Sequence, residues 1–118
     1  MSFGDNVFIA PNCCFTTAEH AIDPEQRKEG MEIAKPISVG HNVWIGAGST
    51  VLAGVTIGDN AVIGAGSVVT KPIPGNVVAT GVLCRVMRNI TEQDKDRYPC
   101  IQVIERIMRT SVVGAENI

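Results

Sequence analysis

Aliphatic residues recur every six positions through the middle of the chain. They stand at Val39, Ile45, Val51, Ile57, Ile63 and Val69, heading the hexads VGHNVW, IGAGST, VLAGVT, IGDNAV, IGAGSV and VTKPIP. Four residues after each head comes a small or β-branched residue: Val43, Ser49, Val55, Ala61, Ser67 or Ile73. These two positions predict an inward-facing pair in every hexad. Three residues after the heads come Asn42, Gly48, Gly54, Asn60 and Gly66, the residue types that tolerate a left-handed backbone. A chain that turns a corner at each of them makes a triangular coil. Strands this short cannot form an independent sheet, so they stack rung on rung and bury one another's faces. The predicted fold is all-β, a parallel β-helix. A β-sandwich would instead require turn signals every 8 to 12 residues or so, with alternating polarity.

The same register runs earlier through Phe3, Ile9 and Phe15, with Asn6 and Asn12 at the corners and Val7 and Cys13 at the second inward position. It breaks at Glu19, a charged residue where a small one is due. Ala21 to about Glu32, AIDPEQRKEGME, reads as an inserted polar loop, and Pro24 and Gly30 support that reading. After Pro74 the repeat is expected to end, and GNVVATGVLCRVMRNI reads as a strand or extended segment leaving the prism. Thr91 followed by Asp94 resembles a helix start. Ile101, Ile104, Ile107 and Met108 then form a weak apolar stripe at helical spacing. The expected organisation is a β-helix over 1–90 with 21–32 inserted, followed by a short helical or irregular extension over 91–118.

Composition narrows the picture. A chain of 118 residues builds one core. With 45% hydrophobic but only 4% aromatic residues and 12 glycines, that core must consist of Val, Ile and Ala. A formal charge of -2 creates no field for nucleic acid or an acidic membrane surface. No apolar run approaches membrane-spanning length, and Met1 to Ala10 lacks the pattern of a signal peptide. Cys13, Cys14, Cys84 and Cys100 form no CxxC pair and have no His at zinc-ligand spacing. They read as reduced thiols of a cytoplasmic protein.

The run Pro36 to Ile90, together with GDNVFIAPNCCFTTAEH before the insertion, closely resembles the galactoside and maltose O-acetyltransferases of the hexapeptide-repeat kind. The resemblance extends from about Phe3 to Tyr98. It implies that the helix is left-handed, which the general preference for right-handed crossovers would not suggest. It also implies direct attack of an acceptor hydroxyl, of a sugar or similar compound, on the thioester of acetyl-coenzyme A. His20 matches the family's general base, and imidazole, titrating near neutral pH, suits proton removal from a weakly acidic hydroxyl. His41, in a GHN corner, reads as a solvated turn residue.

Further positions carry over one by one. Trp44 matches a tryptophan beside the active site, and packing between subunits remains an equal reading for it. Ala47 matches a coenzyme contact whose backbone N–H could stabilise an oxyanion. Ala65, Thr70 and Lys71 match the pantetheine and nucleotide side. Arg85 and Arg88 match basic residues that meet the coenzyme's phosphates, a role suited to guanidinium donors. Pro72 and Leu83 depart from the family's usual Asp and Pro without removing a reacting group.

A homotrimer is expected, since about three coils bury little core and flat faces can pack on neighbouring chains. No metal is expected. The family's acceptor contacts come mainly from rungs preceding the position of Met1, so the acceptor side of the site is expected to be largely missing. Two other readings stay open: a coenzyme-binding relative with weak catalysis, and a structural or metal-binding β-helix of the γ-carbonic anhydrase kind. The latter uses several histidines as zinc ligands, and His20 and His41 are few for that role.

Overall fold

Both inward positions of all six central hexads are buried, from Val39 and Val43 through Val69 and Ile73. The computed structural model describes residues 1–97, and over them the chain winds as a left-handed parallel β-helix. One face stacks β1 (Ser2–Phe3), β6 (Ser38–Val39) and β9 (Thr56–Ile57). The second stacks β2 (Phe8–Ile9), β7 (Trp44–Ile45), β10 (Val62–Ile63) and β12 (Val77–Thr80), with β13 (Arg85–Asn89) antiparallel at its edge. The third stacks β3 (Cys14–Phe15), β8 (Thr50–Val51) and β11 (Val68–Val69). Val39 pairs with Ile57, Ile45 with Ile63 and Val51 with Val69, so three hexads make one turn.

The corners are made as the residue types require. Asn6, Asn12, Asn42 and Asn60 have φ between 57° and 63°, and Gly48, Gly54 and Gly66 have φ of 70°, 80° and 70°. At Gly48 a Cβ would meet nothing within 4 Å, so backbone conformation alone selects glycine there. At Gly46 the reason differs, because a Cβ would lie 2.5 Å from the Ala65 nitrogen of the next rung. Along one edge the corner amides form a ladder: Asn6 donates to Asn42 at 3.3 Å, Asn42 to Asn60 at 3.2 Å and Asn60 to Asn76 at 2.8 Å. The buried hydroxyls are also satisfied. Ser49 donates to Gly46 O at 2.8 Å and Ser67 to Gly64 O at 2.6 Å.

The expected break at Glu19 is present. Phe3 pairs with Val39 and Phe15 with Val51, twice the offset between later rungs, because the chain leaves the coil and returns. The excursion is more ordered than a loop. Ala18–His20 (β4) pairs antiparallel with Glu32–Ala34 (β5), and between them Pro24–Lys28 forms α1. Asp23 caps it by accepting from Gln26 N–H at 3.0 Å, with Pro24 in the first turn. The coil resumes where Lys35 N–H donates to Thr17 O at 2.7 Å.

The end of the repeat lies later than the sequence pattern implies. Ile73 bridges to Ile57 and Ala79 pairs with Ile63, so the last turn is two residues shorter than the others. Val77 and Ala79 still face inward and are buried. Two residues lost between Val69 and Ile73, around Pro72, shift the hexad count and hide the final strand from a six-residue search. Only at Gly81 does the chain reverse, and β13 then runs back along β12. Thr91 and Asp94 do begin a helix, of the 3-10 type, over Glu92–Arg97, with Thr91 N–H donating to the Asp94 carboxylate at 2.8 Å. The apolar stripe Ile101 to Met108 and Cys100 lie outside the described residues.

Rung position sets the energetics. Ile45 is 0% exposed and Ile9, its counterpart one rung away, 42%, because among the described residues a rung stacks on only one side of Ile9. Ile45→Ala should therefore cost about 2–5 kcal/mol and Ile9→Ala less than half as much. Thermal or urea unfolding of the two variants checks the difference; equal losses would mean that burial between rungs does not govern stability.

Candidate active site

His20 ends β4, exposed on the inserted hairpin, directly across from Glu32. It lines a cavity of about 370 Å³ with Glu19, Gln26, Met31, Glu32 and Ile33. Glu19 is engaged by Lys35 at 3.2 Å. The hairpin thus presents an imidazole beside two carboxylates and an apolar floor. The hairpin leaves the prism after Thr16 and Thr17, at the corner that carries Leu52 one rung on and Thr70 two rungs on, as the backbone bonds Thr16 N–H to Val51 O and Leu52 N–H to Val69 O show.

At that corner, Thr70 and Lys71 line a second cavity of about 490 Å³ with Val82, Leu83, Cys84 and Arg85. The turn after β12 folds Val82 to Cys84 over the end of β11, anchored by Gly81 N–H on the Ser67 hydroxyl at 3.1 Å and Cys84 N–H on Val68 O at 2.9 Å. Burial pushes the Cys84 thiol pKa up, partly opposed by its hydrogen bond with Ser67. Cys84 is accordingly a packed thiol at the base of this cavity, and an ammonium and a guanidinium stand at its rim.

A third cavity, of about 270 Å³, lies on the second face. Trp44, Val62, Val78 and Ile90 form its apolar side, while Arg88, Asp94 and Arg97 form its polar side. Trp44 remains 47% exposed. Ala47 and Ala65 sit one rung apart on the corner between the second and third faces, Ala47 O accepting from Gly66 N–H at 2.8 Å. Both are exposed.

Thr70, Lys71 and Arg85 are thus brought together, Trp44 and Arg88 form a separate pair, and His20 lines a cavity with none of them. Two residues that the sequence alone did not single out belong beside these. Glu32 faces His20, which follows once the excursion is known to be a hairpin. Asp94 grips Arg88 through two bonds of 2.8 and 3.0 Å; the sequence marks it only as part of a helix start. His41 is a turn residue, as expected, though a bonded one. Its Nδ1 accepts from Asp5 N–H at 2.8 Å and its own N–H donates to Asp59 at 2.7 Å. Among the described residues no group of three or more His, Cys, Asp or Glu could hold a metal ion.

Comparison with known proteins bears on this arrangement. Residues 36–71 match the model of the hexapeptide repeat of succinyl-transferase. Galactoside O-acetyltransferase of Escherichia coli (strain K12) is 54% identical over 98 residues, 83% of this chain and 48% of that protein. The chain belongs to the hexapeptide-repeat O-acetyltransferase family. A solved galactoside acetyltransferase in complex with coenzyme A superposes with a TM-score of 0.79 at 54% identity, over 84% of this chain and 50% of that one. A maltose O-acetyltransferase from Clostridium difficile 630 gives a TM-score of 0.72 at 46% identity, over 76% of this chain and 57% of that one. The chain spans about half the length of these relatives.

The electrostatics of the third cavity are directly testable. Asp94 is held down to about 2 by its hydrogen bonds with the Arg88 guanidinium and, next, with Thr91 N–H; Arg88 is raised in turn. A carboxyl lowered in the folded state adds stability above its ordinary pKa and loses that contribution as pH falls through the lowered value. NMR titration should find Asp94 near 2 and, in Arg88→Ala, moved back toward 3.8. An Asp94 that titrates alike in both proteins would show that the pair does not form in solution.

Proposed function

We propose that this protein is an acyltransferase that moves the acetyl group of acetyl-coenzyme A to a hydroxyl of a sugar or similar small acceptor. The observation that carries this reading is the structural likeness to a galactoside acetyltransferase with coenzyme A bound, across most of this chain. The residues present fit such a co-substrate. Lys71 and Arg85 offer cationic donors to phosphates, Thr70 adds a hydroxyl, and the corner at Ala47 and Ala65 exposes backbone without bulky side chains in the way.

In this reading His20 takes the proton of the acceptor hydroxyl as its oxygen attacks the thioester carbonyl. A backbone N–H at Ala47 stabilises the negative charge that develops on the carbonyl oxygen. The carbon–sulfur bond then breaks, the departing sulfur takes the proton from His20, and the ester and free coenzyme A leave. Trp44 packs beside the reacting arm, with Ala65, Thr70 and Lys71 along the pantetheine and nucleotide, and Arg85 and Arg88 at the phosphates.

The protein works as a homotrimer in this proposal. The outward residues of the second face are Phe8, Trp44, Val62 and Val78, in register across four rungs, whereas those of the first face are Ser2, Ser38 and Thr56. An apolar ladder on one face and a hydroxyl ladder on another favour burying the first against neighbouring chains. Such packing would set His20 of one chain near the coenzyme residues of the next, which separate cavities in a single chain cannot do. Free thiols at Cys13, Cys14 and Cys84 suit a cytoplasmic location.

His20→Ala should lower turnover by about two to four orders of magnitude with coenzyme affinity nearly unchanged. A thiol-release assay with several sugars, run beside calorimetric titration of coenzyme A, measures both; parallel loss of rate and affinity would make His20 a structural residue. Sedimentation equilibrium should return three times the 12.5 kDa chain mass. A folded monomer at micromolar concentration would overturn the assembly.

A further inference from the structure

Arg88 extends from β13 opposite Val78, at the margin of the groove formed by Trp44, Val62 and Ile90. A guanidinium carries five N–H donors in a fixed plane. Asp94 takes one hydrogen from each terminal nitrogen, with Nη2 to Oδ1 at 2.8 Å and Nη1 to Oδ2 at 3.0 Å. Nη1 spends its second hydrogen on Asn89 O at 3.2 Å. The two donors left, on Nε and Nη2, are parallel and share one edge of the plane, and among the described residues nothing occupies them. That edge is a bidentate fork of the kind that matches a phosphate.

Asp94 is itself held. Its Oδ2 accepts from Thr91 N–H at 2.8 Å, at the start of the helix Glu92–Arg97. The carboxylate is therefore fixed by backbone on one side and fixes the guanidinium on the other. We propose that Asp94 is a positioning residue for coenzyme binding: it clamps the end of the Arg88 guanidinium so that the free Nε edge is presented to a coenzyme phosphate beside Trp44. The inference rests on the coenzyme site described above and adds to it a residue that need not touch the ligand. A long, exposed arginine side chain loses much rotamer freedom when it binds. A clamp that holds it beforehand removes part of that loss.

The opposite role is physically possible for the same geometry, since a carboxylate on a guanidinium can also compete with an incoming phosphate. Affinity separates the two. Asp94→Asn keeps an oxygen to accept from Thr91 N–H and removes the charged two-point grip. Calorimetry with coenzyme A should show binding weakened by about three- to ten-fold in Asp94→Asn and by at least about ten-fold in Arg88→Ala. Asp94→Asn should add nothing in the Arg88→Ala background, because the residue acts through the arginine.

Pantetheine, which keeps the thiol arm and carries no phosphate, should bind wild type and Asp94→Asn alike, a result that a merely structural role would not give. Tighter coenzyme A binding by Asp94→Asn would establish competition and overturn the proposal. So would unchanged binding, or a parallel loss for pantetheine. If Arg88→Ala binds coenzyme A as wild type does, the assignment of Arg88 to the coenzyme site fails first.

Discussion

Each rung of this protein depends on a backbone that can turn at positive φ at its corners. For ordinary L-residues that conformation costs roughly 1–2 kcal/mol, and glycine and asparagine largely escape the penalty. Asn42 and Asn60 do more than tolerate the corner, because their side-chain amides bond to one another and to Asn6 and Asn76 along the edge of the prism. Once the corners are fixed, two side chains per hexad must point into a narrow triangular interior. Only aliphatic and small residues fit there, which is why the core is Val, Ile, Ala and Ser. Ser49 and Ser67 remain acceptable because the corner carbonyls of Gly46 and Gly64 accept their hydroxyl hydrogens.

The residues proposed to carry the chemistry stand where this regularity is broken. His20 is on the hairpin that interrupts the coil, Lys71 opens the shortened last turn, Arg85 follows the reversal at Gly81, and Arg88 lies on the antiparallel strand at the edge of its face. A regular rung presents the same outward positions at every level. Departures from the repeat contribute lining residues to each of the three cavities described above, and stacked rungs supply the rest of the third.

The faces of the prism are unequal in the same sense. All three bury their inward side chains in the central rungs, yet outward the second carries Phe8, Trp44, Val62 and Val78 while the first carries serines and a threonine. The apolar face is also the one that bears Arg88 and its partner Asp94 at the margin. The surface proposed for association and one of the residues proposed to meet the coenzyme thus share one sheet.

The fold was legible because a period of six is local: the aliphatic heads, the second inward residues and the Asn and Gly corners can be read without knowing what they touch. In the six central hexads the inward residues are buried and the Asn and Gly corners have positive φ, as their types imply, whereas Phe3 and Ile9 of the first rung keep the register and stay exposed. The break at Glu19 and the helix start at Thr91 were legible for the same reason. The last rung was not, since a two-residue deletion leaves Val77 and Ala79 in the core through pairing with β10 while erasing their place in the count. The family resemblance likewise gave Arg85 and Arg88 a single expected role, at the coenzyme's phosphates. The tertiary structure separated them, placing Arg85 with Thr70 and Lys71 and Arg88 with Trp44 and Asp94, because cross-strand register and the reversal at Gly81 decide which distant residues share a cavity.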